Sequence, residues 1–148
     1  MVQLKSALAS IPVKRVMITR FETLTPADTL RRAMDHVLAG FQHDFPVLEG
    51  DRLVGVLTRA DLMKGLAEKG GQAPVAAAMT PRFERADPSE MLEGAFQRLQ
   101  TSGCPALPVL QGDKLVGVLT SDNVGEFLMI QSALGGNGKG DRRGPSRS

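Results

Sequence analysis

The chain has 148 residues, 42% hydrophobic and 23% charged, which excludes a disordered chain, a fibrous protein and a disulfide scaffold. Its net charge of +2 is local: residues 135–148 hold Lys139, Arg142, Arg143 and Arg147 against Asp141, leaving −1 on residues 1–134 and no broadly basic surface. No run approaches ~18 apolar residues, residues 1–10 lack a secretory core, and the single Cys104 forms no internal disulfide, which fits a cytoplasmic setting.

An internal repeat organises everything after the lead-in of residues 1–12. Residues 13–66 fall on 75–128 by a shift of 62 without a gap, and 20 of the 54 pairs are identical. Each copy opens with a short segment ending at Met17 or Met79, followed by a brief strand at Phe21–Leu24 or Phe83–Ala86. Thr25-Pro-Ala-Asp28 and Asp87-Pro-Ser-Glu90 then predict helix starts, with a capping side chain, a proline and a carboxylate near the free amides. Leu30, Ala33, Met34, Val37 and Leu38 share one face of the first helix, and Met91, Leu92, Ala95, Phe96 and Leu99 one face of the second. Two apolar runs around Glu49-Gly-Asp-Arg52, and again around Gln111-Gly-Asp-Lys114, predict hairpins. A last helix opens after Thr58 or Thr120, and residues 67–74 read as a linker. The second copy, residues 75–134, runs on through Phe127-Leu-Met-Ile130 to Leu134. That stretch is apolar on more than one face, so it should pack on Leu4, Leu8 and Ile11 or on another subunit. Residues 135–148 are Gly/Ser-rich without an apolar residue and predict a disordered, solvated basic tail. The fold class is therefore α/β (α+β), built of two pseudo-symmetric β-α-β-β-α units packed sheet to sheet.

The doubled Met-x-x-x-Phe, the proline-led capped helix, the hydrophobic-Pro-Val strand and G-V-L-T-x-x-[D/N] together resemble a tandem pair of CBS domains, a Bateman module. The phrases GFQHDFPVLEGDRLVGVLTRADL and TSDNVGEFLMIQSAL are most similar to CBS pairs attached to site-two-type intramembrane zinc metalloproteases. The protease itself is missing from this sequence, which has no H-E-x-x-H and only His36 and His43. The resemblance implies adenosyl ligands in clefts between the halves: AMP, ADP, ATP or S-adenosylmethionine. It assigns ribose and phosphate contacts to Thr58, Arg59 and Asp61 in one site and to Thr120 and Asn123 in the other. It also turns the backbone of Phe45-Pro46-Val47 and Leu107-Pro108-Val109 toward adenine.

The residues keep plainer readings open. Thr58-x-x-Asp61 is also a capping box, Thr120-x-x-Asn123 a weaker one, and the strand prolines suit edge strands. The first site has Arg59 where a phosphate would lie; the second has Asp122, which repels one. Arg20 and Arg82 are candidate phosphate contacts or solvated arginines. His43 reads as a turn histidine and Cys104 as a small half-buried thiol, so neither a catalytic constellation nor a metal site is expected. Three functions follow. The first is a regulatory module that senses an adenine nucleotide and modulates a partner enzyme or membrane-embedded protease at its cytoplasmic face. The second is a ligand-free dimerisation or docking module, with a homodimer expected. The third, nucleic-acid binding through the tail, requires only a sequence-independent charge attraction, so no specific nucleic acid is expected.

Overall fold

A computed structural model describes residues 8–40 and 42–143, with the backbone alone for 135–143. Its elements are α1 (Leu30–Ala39), β1 (Phe45–Glu49), β2 (Arg52–Leu57), α2 (Arg59–Lys69), α3 (Leu92–Ser102), β3 (Ala106–Gln111), β4 (Lys114–Thr120) and α4 (Ser121–Arg143). The class is mixed α+β, as the alternation of patterns predicts. The two hairpins share a register: Val47 faces Gly55 and Val109 faces Gly117, and each ladder then shifts before Leu48 or Leu110. Gly50 and Gly112 both turn at φ 64°, a left-handed value that glycine adopts without a Cβ clash.

The first strands shrink to single parallel bridges, Leu24 with Val47 and Ala86 with Val109. The cause is local. Thr25 N–H donates to Asp28 Oδ2 (2.8 Å) and Asp28 N–H to Thr25 Oγ1 (3.2 Å), which turns the chain at once. Those cap-like bonds close a turn and do not open a helix; α1 starts only at Leu30, with Thr29 as its N-cap. The second copy matches, with Asp87 N–H on Glu90 Oε1 (2.9 Å) and α3 starting at Leu92. The helix is delayed because the carbonyls of Pro26 and Asp28 accept Ala76 and Val75 N–H (3.0 and 2.7 Å), while those of Pro88 and Glu90 accept Lys14 and Val13 N–H (2.9 Å each).

Those bonds come from the opposite copy. The segment leading into and through the start of each Met-x-x-x-Phe crosses over: Ile18 pairs antiparallel with Val118, and Thr80 with Val56. Val13 and Val16 therefore lie in a core with Leu92, Leu99, Leu107 and Val124, while Val75 lies with Leu24, Leu30, Phe45 and Leu62. The crossing also explains the glycine of each LVGVLT. A Cβ on Gly55 would sit 2.8 Å from Met79 Sδ, and one on Gly117 2.6 Å from Met17 Sδ.

Leu8 and Ile11 are buried in the core against which Phe127 and Leu128 pack, whereas Leu4 lies outside the described residues. Met129, Ile130 and Leu134 remain 72, 58 and 68% exposed. Leu38 departs from its helix face, 76% exposed near the end of α1. The backbone of α4 continues to Arg143. Propagating a formed helix is easier than nucleating one, although each glycine there costs about 1 kcal/mol. Residues 144–148 lie outside the described ones.

Candidate functional site

The crossing creates two related clefts. At the start of α2, a cavity of about 590 Å³ is walled by Thr58–Asp61 from the first copy and by Thr80, Arg82, Phe83, Glu84 and Ser102–Pro105 from the second, with Asp44 at its edge. At the start of α4, a cavity of about 550 Å³ is walled by Ile18, Arg20, Phe21, Glu22, Gln42–Asp44, Val118, Thr120, Asp122, Asn123 and Glu126. Shifting one lining by 62 reproduces most of the other.

At the α2 cleft the capping box is complete. Thr58 Oγ1 accepts Asp61 N–H (3.0 Å) and Asp61 Oδ2 accepts Thr58 N–H (3.1 Å). The same Oδ2 accepts the Thr80 hydroxyl (2.9 Å), which ties the crossing segment to the helix start. The capping reading of Thr58-x-x-Asp61 thus holds, and the two residues also face the cavity. Thr58 itself is buried, while Arg59 is exposed beside it. At the α4 cleft Thr120 Oγ1 accepts Asn123 N–H (3.0 Å), and Asn123 Nδ2 donates to the Val16 carbonyl.

None of the strand-triplet residues is among those lining the two cavities. Phe45, Val47, Leu107 and Val109 are core residues. The Pro46 and Pro108 carbonyls accept Leu24 and Ala86 N–H (3.0 and 2.9 Å). Both prolines therefore sit between a hairpin partner and a bridged segment, not on a free edge, so the edge-strand alternative does not describe them. The cleft edge is instead the loop just before each strand, Gln42–Asp44 or Ser102–Pro105. Gln42 pins that loop: its Oε1 accepts Glu22 N–H (2.7 Å) and its Nε2 donates to the Glu22 and Asp44 carbonyls (2.8 and 2.9 Å). Gln42, Asp44, Phe21 and Phe83 went unassigned from sequence, although the repeated Arg-Phe-Glu of both copies was a signal for the last two.

Charge separates the clefts. Arg59 and Arg82 face Asp44, Asp61 and Glu84 in the first, whereas Arg20 faces Glu22, Asp44, Asp122 and Glu126 in the second. Arg82 therefore joins the Thr58 site and Arg20 the Thr120 site. Burial pushes the Asp44 carboxyl above its ordinary value, against the lowering pull of the Arg59 amide and His43. Burial likewise raises Cys104, whose Sγ donates to the Ala106 carbonyl (3.2 Å), so it is a thiol and not a thiolate. Among the described residues no group of His, Cys, Asp and Glu is placed to hold a metal, and no helix is long and apolar enough to cross a membrane. A hydroxyl, a carboxylate, two guanidinium groups and a half-buried phenyl ring can hold a sugar diol, a phosphate and a flat base.

Comparison with known proteins matches the two-copy fold. The family model described as CBS domain matches residues 13–68 and 75–129. L-aspartate semialdehyde sulfurtransferase from Methanosarcina acetivorans is 32% identical over 118 residues; the match takes in 78% of this chain, which spans 23% of that relative's length. The crystal structure of CBSX2 in complex with AMP is similar at a TM-score of 0.69 and 27% identity, over 82% of this chain and 99% of that one. The CBS domain pair of MJ0100, in complex with methylthioadenosine and S-adenosyl-L-methionine, is similar at a TM-score of 0.71 and 18% identity, over 81% and 97%.

Proposed function

The chain belongs to the CBS domain family, and from that premise we propose that it is a regulatory module binding an adenosine monophosphate-type ligand in the α2 cleft. One observation carries the reading: Thr58, Asp61, Arg59 and Arg82, drawn from both copies, line one cavity. Arg59 and Arg82 offer charge to a phosphate, Asp61 to a ribose diol. The AMP bound to CBSX2 is a ligand of this chemistry. S-adenosylmethionine, whose sulfonium carries the opposite charge, suits the more acidic α4 cleft better. A ligand that bridges Thr58 of one copy and Arg82 of the other would alter how the copies pack, which is what a partner enzyme reads. The phrases around residues 40–62 and 120–134 favour a membrane-embedded metalloprotease as that partner, met at its cytoplasmic face.

Calorimetry with AMP, ADP, ATP, adenosine and S-adenosylmethionine, on protein stripped of carried-over ligand, tests this. Arg82→Ala should weaken AMP about tenfold and leave adenosine unchanged, since Arg82 is exposed and acts on charge alone. Absence of heat with every ligand would leave the second reading, a dimerisation module. Met129, Ile130 and Leu134 on α4 favour a homodimer. Sedimentation equilibrium should show a dimer that Ile130→Glu weakens. A monomer near 15.8 kDa at ~100 μM sinks the dimer.

A further inference from the structure

Asp44 is the one residue among those described that lines both clefts. Its Oδ1 accepts the N–H of Arg59 (3.2 Å), the first amide of α2, which holds the carboxylate in place between the two cavities. The repeat gives it no counterpart: the matching position is Ala106, buried in β3, and the matching amide, Ser121 N–H, goes to the Pro105 carbonyl (3.1 Å). Asp44 also feels Asp61 in one cleft and Asp122 in the other as like charges, with His43 as its opposite. The wall between the clefts is therefore a fixed negative charge on one side of the pseudo-symmetry only. In the α2 cleft Arg59 and Arg82 offset it; in the α4 cleft Arg20 stands against it with Glu22, Asp122 and Glu126 adding to the repulsion.

Resting on the nucleotide reading above, we infer that Asp44 is a specificity-determining residue that limits the module to one anionic ligand per chain. Its carboxylate keeps a phosphate-bearing ligand out of the α4 cleft while the α2 cleft fills. Neutral adenosyl ligands do not feel this limit.

Asp44→Asn tests it, because asparagine keeps an oxygen for the Arg59 amide and loses the charge. Calorimetry on the parent should give one AMP per chain. The variant should gain a second AMP site or strengthen a weak one by about tenfold, the scale of one charge removed at several Å inside a protein. Adenosine should bind both proteins alike, and circular dichroism should show the variant folded. Two equal AMP sites in the parent, an unchanged AMP isotherm in the variant, or an equal response to adenosine each overturns the role of Asp44. Binding of no adenine ligand by either protein is a different result, since it overturns the nucleotide reading and this inference together.

Discussion

At the scale of single residues, Asp61 and Asp44 divide what the sequence could show. The Thr58-x-x-Asp61 spacing makes the capping box legible, because both partners sit within one turn of chain. The third bond, from Thr80, was not legible, since it depends on a segment 19 residues away crossing between copies. Asp61→Ala should therefore lower stability by about 1–2 kcal/mol, more than a simple cap, read by urea denaturation; a change near zero would show that the box contributes nothing. Asp44 had no motif at all, because its neighbours come from the start of α2 and from the other cleft. A half-buried carboxyl raised above 3.8 favours the fold fully below that value, and this contribution is lost as pH rises through the raised value. Asp44→Asn should then match or exceed the parent's melting temperature at pH 7, with its margin shrinking as pH falls toward 3.8. A margin that grows on acidification contradicts the assignment.

At the scale of elements, Thr25-Pro-Ala-Asp28 and its copy have the composition of a helix start and still form a turn. Composition reports what bonds are available, not which are taken. The Pro26 and Asp28 carbonyls are claimed by Val75 and Ala76, so the helix waits until Thr29. The hairpins were readable because their bonds are local and Gly50 and Gly112 mark the turns. In the second copy Arg98 adds a clamp without a counterpart. It meets Glu90 with Nη2–Oε1 at 2.7 Å and Nη1–Oε2 at 3.0 Å, and donates to the Arg85 carbonyl (2.8 Å). Burial would raise Glu90, but Arg98 and the Asp87 amide outweigh it and hold the carboxyl below its usual range. Arg98→Met should cost about 1 kcal/mol near neutrality, the upper end for a partly exposed pair. That cost should fade as pH falls through the lowered Glu90 value, because protonation removes the same bond from the parent. A cost independent of pH would assign it to packing.

At the scale of the whole molecule, the repeat identifies two copies without showing which core each segment joins. The sequence frame starts each copy at Val13 or Val75, and both residues are buried in the other copy's core. The physical unit of the first core runs from about Leu24 to Thr80. Identity between copies cannot reveal this, because a segment that crosses looks the same in sequence as one that stays. A fragment of residues 22–82 should accordingly keep more helix by circular dichroism than one of residues 13–68. The reverse order would show that the crossing segments are dispensable.

Because each lead segment bonds to the opposite copy, the molecule is a domain swap closed within one chain. The turn at Gly70–Pro74, where Arg31 N–H reaches the Gly71 carbonyl (2.9 Å), tethers the arm of residues 75–80 beside its docking groove at high effective concentration. An arm that comes loose finds the same docking groove on any other copy of the protein. Exchange between molecules then needs no surface beyond the one already described, and shortening the tether is the change that would turn the closed swap into an open one.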